Sequence, residues 1–384
     1  MNVLMISIGD NILSNPVGGS LDRQKAYAEA LGYIDMIVYS PRSNNLHEKH
    51  YDNISIYPTK SLNMLTFVFD VLKIVKKLTK LKKIDVITCQ DPFGTALSGS
   101  LIKKKYNIPL HIQSHSCFLD NKLWIKEKPL LFSIFNKLSY FTLKNADRLR
   151  VVNNEEKKRY INILGIDGHN IDVAPVPIDI EFWQEKPSEN EKKLFCQKYN
   201  IDINKPIVSW AGRPVKFKNL PYLFRSVSLV NKKEEVTFLI AGNMNNSYDD
   251  LKILESEFKV KPIYLGLLSH NELKVMYYIS DLYLHTSNYE GFGLVVSDAQ
   301  ACGTVVISRK TAGTSDIIDN NKSGYLIDGD EDMFSLKIFD VLSNQDKLHE
   351  MSLYSGKMIK NKFNKKCMFD DIILSIKRTQ VDLF

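Results

Sequence analysis

Short runs of β-branched and aliphatic residues alternate with helical patterns along this chain, in two bouts separated by a pause. In the first bout the β runs are residues 3–8, 36–39, 86–89, 110–113, 149–152 and 171–173. Between them, Val68, Val71, Leu72, Val75 and Leu78 recur at i, i+3, i+4 and i+7, one face of a helix. An alternation of strands and helices points to parallel sheets covered by helices, since a parallel strand can be reached only through a crossover.

The pause spans residues 174–206, which contain Pro175, Pro177, Pro187 and Pro206 and a charged stretch at 185–193. Such a segment reads as an interdomain connection. The second bout has β runs at 207–211, 237–241, 263–265, 282–285, 305–308 and 325–327. Helices are predicted at 219–231, 249–258, 271–279, 294–301 and 331–344, and a helical stretch over 346–380 breaks near 361–366. A chain of 384 residues favours two domains over one. The expected division is an N-terminal domain at 1–178, a connection at 179–205, a second domain at 206–362 and a C-terminal helix at 363–384 that returns to the first domain. The fold class is α/β: two Rossmann-like domains with parallel sheets facing a deep interdomain cleft. Ligands in such sheets sit beyond the carboxyl ends of the strands, so chemistry belongs in the strand-to-helix loops.

Composition excludes several classes. Apolar residues at 44% and charged residues at 25% are those of an ordinary globular protein, not of a disordered or collagenous one. The five cysteines, Cys89, Cys117, Cys196, Cys302 and Cys367, show no CxxC or zinc spacing, and suggest a reducing compartment. The opening MNVLMISIGD lacks a basic segment and a cleavage site, so it is not read as a signal peptide. The best apolar run, 65–75, is broken by Asp70 and Lys73, too short for a membrane span. The expected location is cytoplasmic. Net charge is +7, and all of the surplus lies in residues 1–180; residues 71–105 alone hold nine lysines against two aspartates. A basic surface attracts phosphates, nucleic acid or anionic lipid, and equally describes a solvated helix face.

Three loops carry the densest chemistry. In the 281–328 segment a strand ends near His285, the loop Glu290-Gly291-Phe292-Gly293 follows, and a helix begins at about Leu294. Its glycines let backbone approach a ligand, and helix-start amides favour a phosphate or sugar oxygen. Glu290 and Asp298, eight apart, can face one cleft and grip vicinal hydroxyls, and equally describe a helix cap and a surface acid. Gly212-Arg213 and Lys218 lie in the loop after the first strand of the second bout; a forked guanidinium and a mobile ammonium suit a diphosphate. Pro16-Val17-Gly18-Gly19-Ser20 follows the first strand, but it is not GxGxxG and no acid closes the next strand, which counts against a dinucleotide enzyme.

The Glu290-Gly291-Phe292-Gly293-Leu294 run, with Ala299, Ala301, Cys302 and Gly303 after it, resembles the signature of the retaining family-4 glycosyltransferases of the GT-B fold, a Glu, seven residues, then a second Glu. Here the second acid is Asp298. Gly212-Arg213 to Lys218-Asn219 is similar to that family's G-R-x-x-x-x-K-G, with Asn219 for the final Gly. Ala312 to Asp316 stands where Gly-Gly-x-x-Glu is usual. His115 stands where the family has a His-Asp pair, and Ser116 replaces the acid.

The resemblance implies a reaction and a site. A hexose or N-acetylhexosamine would pass from a UDP- or GDP-linked donor to a saccharide or polyprenyl-diphosphate-linked acceptor, with retention of configuration, in cell-surface polysaccharide biosynthesis. No metal and no cofactor are called for. Glu290, His115, Arg213 and Lys218 would be catalytic. Gly18, Gly19, Asn153, Gly212, Gly242, Gly266, Gly291, Phe292, Gly293, Leu294 and Asp298 would line the donor. The lysine-rich helix around 64–83, with Met64, Leu65, Phe67 and Phe69 at its start, would touch the anionic inner face of the plasma membrane. Nucleic acid is not an expected partner. The alternatives are a sugar-nucleotide epimerase of the same fold, a transferase made inactive by its departures, and a non-catalytic protein binding through its basic surface.

Overall fold

The computed structural model describes residues 1–9, 11–14, 20–244 and 247–381. The chain forms two α/β units: Met1–Pro175 together with Phe369–Phe384, and Val176–Met368.

The first unit runs β1 (Asn2–Ser7), α1 (Asn11–Ser14), α2 (Ser20–Leu31), β2 (Tyr33–Val38), β3 (Lys49–Tyr51), β4 (Ile54–Pro58), α3 (Met64–Leu81), β5 (Val86–Cys89), α4 (Gly94–Tyr106), β6 (Leu110–Ser114), α5 (Lys122–Glu127), α6 (Pro129–Asn145), β7 (Arg148–Val151), α7 (Asn154–Leu164) and β8 (Ile171–Val173). Among the described residues the sheet has eight strands in the order β3-β4-β2-β1-β5-β6-β7-β8, all parallel except the β3–β4 pair. Alternate side chains face opposite layers. Leu4, Ile6, Ile87 and Ile112 meet α3, α4 and α6 on one side, while Val3, Met5, Ile34 and Val86 meet α2 on the other. The β3–β4 hairpin and the start of β2 are not read from sequence. Asp35 interrupts the apolar run of β2, and it is tolerated at 1% exposure because Lys82 pairs with it at 2.9 Å.

The second unit begins with two helices, α8 (Ile180–Gln184) and α9 (Glu189–Tyr199). The expected 179–205 connection is therefore folded structure, not a linker. Asp179 and Ser188 cap these helices. Trp183 anchors α8 by packing its ring against Tyr277 and His270, and Cys302 donates to its carbonyl. Then come β9 (Ile207–Ala211), α10 (Leu220–Asn231), β10 (Thr237–Ala241), α11 (Tyr248–Phe258), β11 (Ile263–Gly266), α12 (His270–Ile279), β12 (Leu282–His285), α13 (Leu294–Ala301), β13 (Val305–Arg309), α14 (Ala312–Ile317), β14 (Gly324–Ile327), α15 (Glu331–Leu342) and α16 (Gln345–Lys362). Its parallel sheet has the order β11-β10-β9-β12-β13-β14. The strands are nearly continuous apolar runs because helices cover both faces.

The last helix, α17 (Lys365–Val381), crosses the division. Ile372, Ile373 and Ile376 join the core of the first unit beside β1, and Phe369 stacks on Tyr27 at 5.1 Å. The helix is thus a non-contiguous part of that unit. Ile376→Ala, which empties a fully buried site, is expected to cost about 2–5 kcal/mol. Leu374→Ala on the exposed face should change stability by less than about 0.5 kcal/mol. Denaturant titration of the two variants checks this.

Candidate functional site

In the second unit β9 and β12 are neighbours, but the chain leaves them in opposite directions: β10 and β11 lie beyond β9, β13 and β14 beyond β12. Crossovers that diverge in this way part the loops at the carboxyl ends of the two strands and leave a crevice. The two loops brought to its rim are 212–219 and 286–293, the segments that carry Arg213, Lys218 and Glu290.

The loops are joined by several bonds. The Asn288 amide donates to the Phe217 carbonyl at 2.7 Å, and the Thr286 hydroxyl donates to the Lys218 carbonyl at 2.9 Å. Phe217 stacks on Tyr289 with centroids 4.9 Å apart. At the centre, Lys218 Nζ lies 2.6 Å from Glu290 Oε2, with both side chains largely buried. His285 Nε2 approaches the same oxygen at 3.3 Å, and its Nδ1 meets Ser308 Oγ at 3.0 Å. Ser287 Oγ also lies 3.0 Å from Nε2, and the Ser308 hydroxyl donates to the Arg309 carbonyl at 2.7 Å.

These contacts set the charge states. Burial pushes the Glu290 carboxyl upward, but the His285 hydrogen bond and the Lys218 charge outweigh it and hold the group at about 2. Burial lowers His285, more than Glu290 raises it, so the ring is neutral. Asp298, in the second turn of α13, is pushed well above the usual carboxylate range by burial. The two carboxylates expected to act alike therefore differ: one is a paired anion, the other is favoured in its protonated form.

Backbone shape explains the remaining positions. Gly242 has φ +140°, and a Cβ there would stand 2.0 Å from the Gly212 carbonyl oxygen. The Gly212 amide donates to Ala241 and the Gly242 amide to Gly266, at 3.0 and 2.8 Å, which ties together the carboxyl edge of β9, β10 and β11. Gly293, at φ +98°, turns the chain into α13. The Val296 and Ser297 amides donate to the Gly293 carbonyl at 2.9 and 3.1 Å, and those of Leu294 and Val295 precede the first intrahelical bond. Asn219 sits at φ +52°, a left-handed conformation. Asparagine is among the few residues besides glycine that adopt it routinely, and its Nδ2 bonds Asn288 Oδ1 at 3.1 Å. The departure from glycine therefore preserves the turn.

The other predicted residues have separate fates. Arg213 is exposed. The Phe292 ring is turned inward against Phe363, so it does not line the crevice. Gly291 is buried in the same loop. In the first unit, His115 follows β6, and Nε2 lies 3.3 Å from Gln90 Oε1. Surrounding protein bulk, then Arg150 and Arg23, depress it to about 3, so it is a neutral imidazole. Asn153 is fully buried and caps α7, accepting from the Glu156 amide at 2.7 Å. Gly18 and Gly19 lie outside the described residues. Sequence reasoning missed His285, Ser308 and Asn288; the available signal was a histidine closing the apolar run Leu282-Tyr283-Leu284.

The chain is similar to known proteins over most of its length. Residues 25–182 match the model of Glycosyltransferase Family 4, and residues 191–358 that of Glycosyl transferases group 1. The GPI3 subunit of phosphatidylinositol N-acetylglucosaminyltransferase from Saccharomyces cerevisiae is 25% identical over 67% of the chain and 55% of its own length. The chain thus spans about half the length of that relative. An uncharacterized 41.2 kDa protein in the cps region of Klebsiella pneumoniae is 22% identical over 82% of the chain and 84% of its own length. Among solved structures, Anabaena Alr3699/HepE in complex with UDP and glucose superposes with a TM-score of 0.76 at 15% identity, covering 98% of this chain and all of that one.

Two outcomes are expected. Asn219→Gly should leave stability nearly unchanged, whereas Asn219→Val should lose about 1–2 kcal/mol to left-handed strain; thermal melts decide. Because Glu290 titrates at about 2 in the fold against 4.5 unperturbed, its pairing stabilises fully above about pH 4.5 and is lost as pH falls toward 2. His285→Ala, which removes one of the two groups lowering that value, should move this acid loss to higher pH in melts followed across pH.

Proposed function

The chain belongs to the glycosyltransferases of group 1 and family 4, and from that premise we propose that it moves a hexose or N-acetylhexosamine from a UDP- or GDP-linked donor to a saccharide or lipid-linked saccharide hydroxyl, with retention of configuration and without a metal ion. The observation that carries this reading is the Lys218–Glu290 contact at the rim of the β9–β12 crevice. A nucleoside diphosphate entering there gives Lys218 a phosphate partner in place of the carboxylate. Glu290 is then an anion free to accept hydrogen bonds from sugar hydroxyls. Arg213, Lys218 and the amides at the start of α13 face the charge that builds on the departing diphosphate, and fixed donors of this kind stabilise a transition state more than a ground state. The close backbone at Gly212 and Gly242 lets a nucleotide lie against the strand ends without a side chain in its way. His115, neutral in the first unit, is assigned to the donor sugar.

The yeast relative is named for transfer of N-acetylglucosamine to phosphatidylinositol, and the Klebsiella relative for its cps region. Both names support an acceptor that is lipid-borne or part of a surface polysaccharide. No helix among the described residues is long and apolar enough to cross a membrane, so access to such an acceptor is proposed to be peripheral, at the inner membrane face.

Thermal-shift titration with UDP, GDP and ADP, with and without EDTA, tests the donor half. One nucleotide should raise the melting temperature by mass action, since a hundredfold excess over its Kd stabilises the folded chain by about 2.7 kcal/mol, and EDTA should not change the shift. A shift abolished by EDTA would reject metal independence, and no shift with any nucleotide would reject the donor site. Glu290→Gln removes the anion that pairs with the buried Lys218, so it should lower the melting temperature at neutral pH, and in protein that still shows the nucleotide shift it should lower kcat about a hundredfold or more; unchanged turnover would reject the role given to Glu290.

A further inference from the structure

One face of the first unit is built unlike the rest of its surface. α4 packs between α3 and α6 over the sheet, and the three helices bury Phe67, Val71, Ile102 and Leu143 beneath them. Their outer side is not the usual polar one. On α6, Leu130 is 88% exposed, Ile134 62% and Phe141 55%. At 100° per residue these three and Lys137 fall within about 60° of arc, a single stripe about 17 Å long. The stripe lies opposite buried Ser139 and Leu143, so it is the true outer face of a helix already seated on its core. On α3, Leu65 and Phe69 are likewise 82% and 66% exposed. The 64–83 segment expected to carry this surface from sequence is therefore only part of it, since its Phe67 is fully buried.

The charge around these apolar residues has one sign. Residues 122–144 hold five lysines and one glutamate, α4 holds three lysines and no acid, and residues 64–83 hold six lysines and one aspartate. Lys126, Lys128 and Lys137 are all exposed. A second copy of the chain would set lysines against lysines. The apolar side chains project outward as a convex stripe bordered by lysines, the form that inserts among headgroups while ammonium groups reach the phosphates.

We propose that the α3–α4–α6 face docks on an anionic phospholipid bilayer, with Leu130, Ile134 and Phe141 entering the headgroup layer and the lysines lying on lipid phosphates. This deepens the preceding reading, on which it rests for its purpose: it names the surface through which a transferase with a lipid-linked acceptor would meet the membrane.

The test is flotation of the full chain with vesicles of phosphatidylcholine alone or mixed in equal parts with phosphatidylglycerol. Partitioning into anionic vesicles should exceed that into neutral ones by about tenfold or more at low salt, given roughly 1 kcal/mol per lysine near such a surface. The triple variant Leu130→Ser/Ile134→Ser/Phe141→Ser and the triple variant Lys126→Glu/Lys128→Glu/Lys137→Glu should each lose most of that binding, and both change exposed positions only. Equal partitioning into the two vesicle types, or apolar and charge variants that bind like wild type, would overturn the proposal. So would a wild-type dimer that the serine variant splits without loss of vesicle binding, because the face would then serve a second copy. Each variant is also titrated with UDP: the donor reading stands or falls on the nucleotide shift, and this proposal on flotation alone.

Discussion

The buried contact between Lys218 and Glu290 is the constraint around which the second unit's crevice is arranged. Each partner comes from a different strand-to-helix loop, and an ion pair with so little solvent holds only when both loops are fixed. The loops are fixed by bonds that do not involve the pair: Asn288 to the Phe217 carbonyl, Thr286 to the Lys218 carbonyl, and the Phe217–Tyr289 stack. His285 closes the arrangement from below, inside the sheet, and orients the carboxylate through a neutral ring. An anion built in this way is held ready without a ligand, which is what preorganisation requires.

The same geometry accounts for the positions at which the chain departs from its family's pattern. Asn219 stands where glycine is usual because the turn needs a left-handed residue, and asparagine supplies one while bonding Asn288. Asp298 keeps the carboxyl group, but burial favours its neutral form, so it can donate as well as accept. Ser116 in place of an acid leaves His115 with no carboxylate following it, and the surrounding protein together with the guanidiniums of Arg150 and Arg23 holds the imidazole well below its ordinary value.

The two units also divide their surfaces by charge and polarity. The second unit carries no net excess of basic residues, and its crevice lies at the carboxyl ends of the central strands β9 and β12. The first carries the whole surplus, and its helices α3 and α6 leave large apolar side chains in water. A soluble protein exposes scattered apolar residues without consequence, but a contiguous, lysine-bordered set marks an interaction surface.

Periodicity and glycine placement in the sequence determined the class of fold, the strands of both sheets apart from β3, β4 and the start of β2, and the loops that hold Glu290, Arg213 and Lys218. These are local properties: strand runs, helix spacing and turn chemistry act over a few residues. The tertiary structure decided what depends on distant partners. Residues 179–205 became two packed helices because Trp183 found Tyr277 and His270; β2 tolerated Asp35 because Lys82 reached it; Asn153 went inside to cap a helix; and Glu290 became a paired anion because β9 and β12, far apart in the chain, are adjacent in the sheet. Burial and the partners it supplies set charge state and exposure, and neither is a property of a residue until the chain has folded around it.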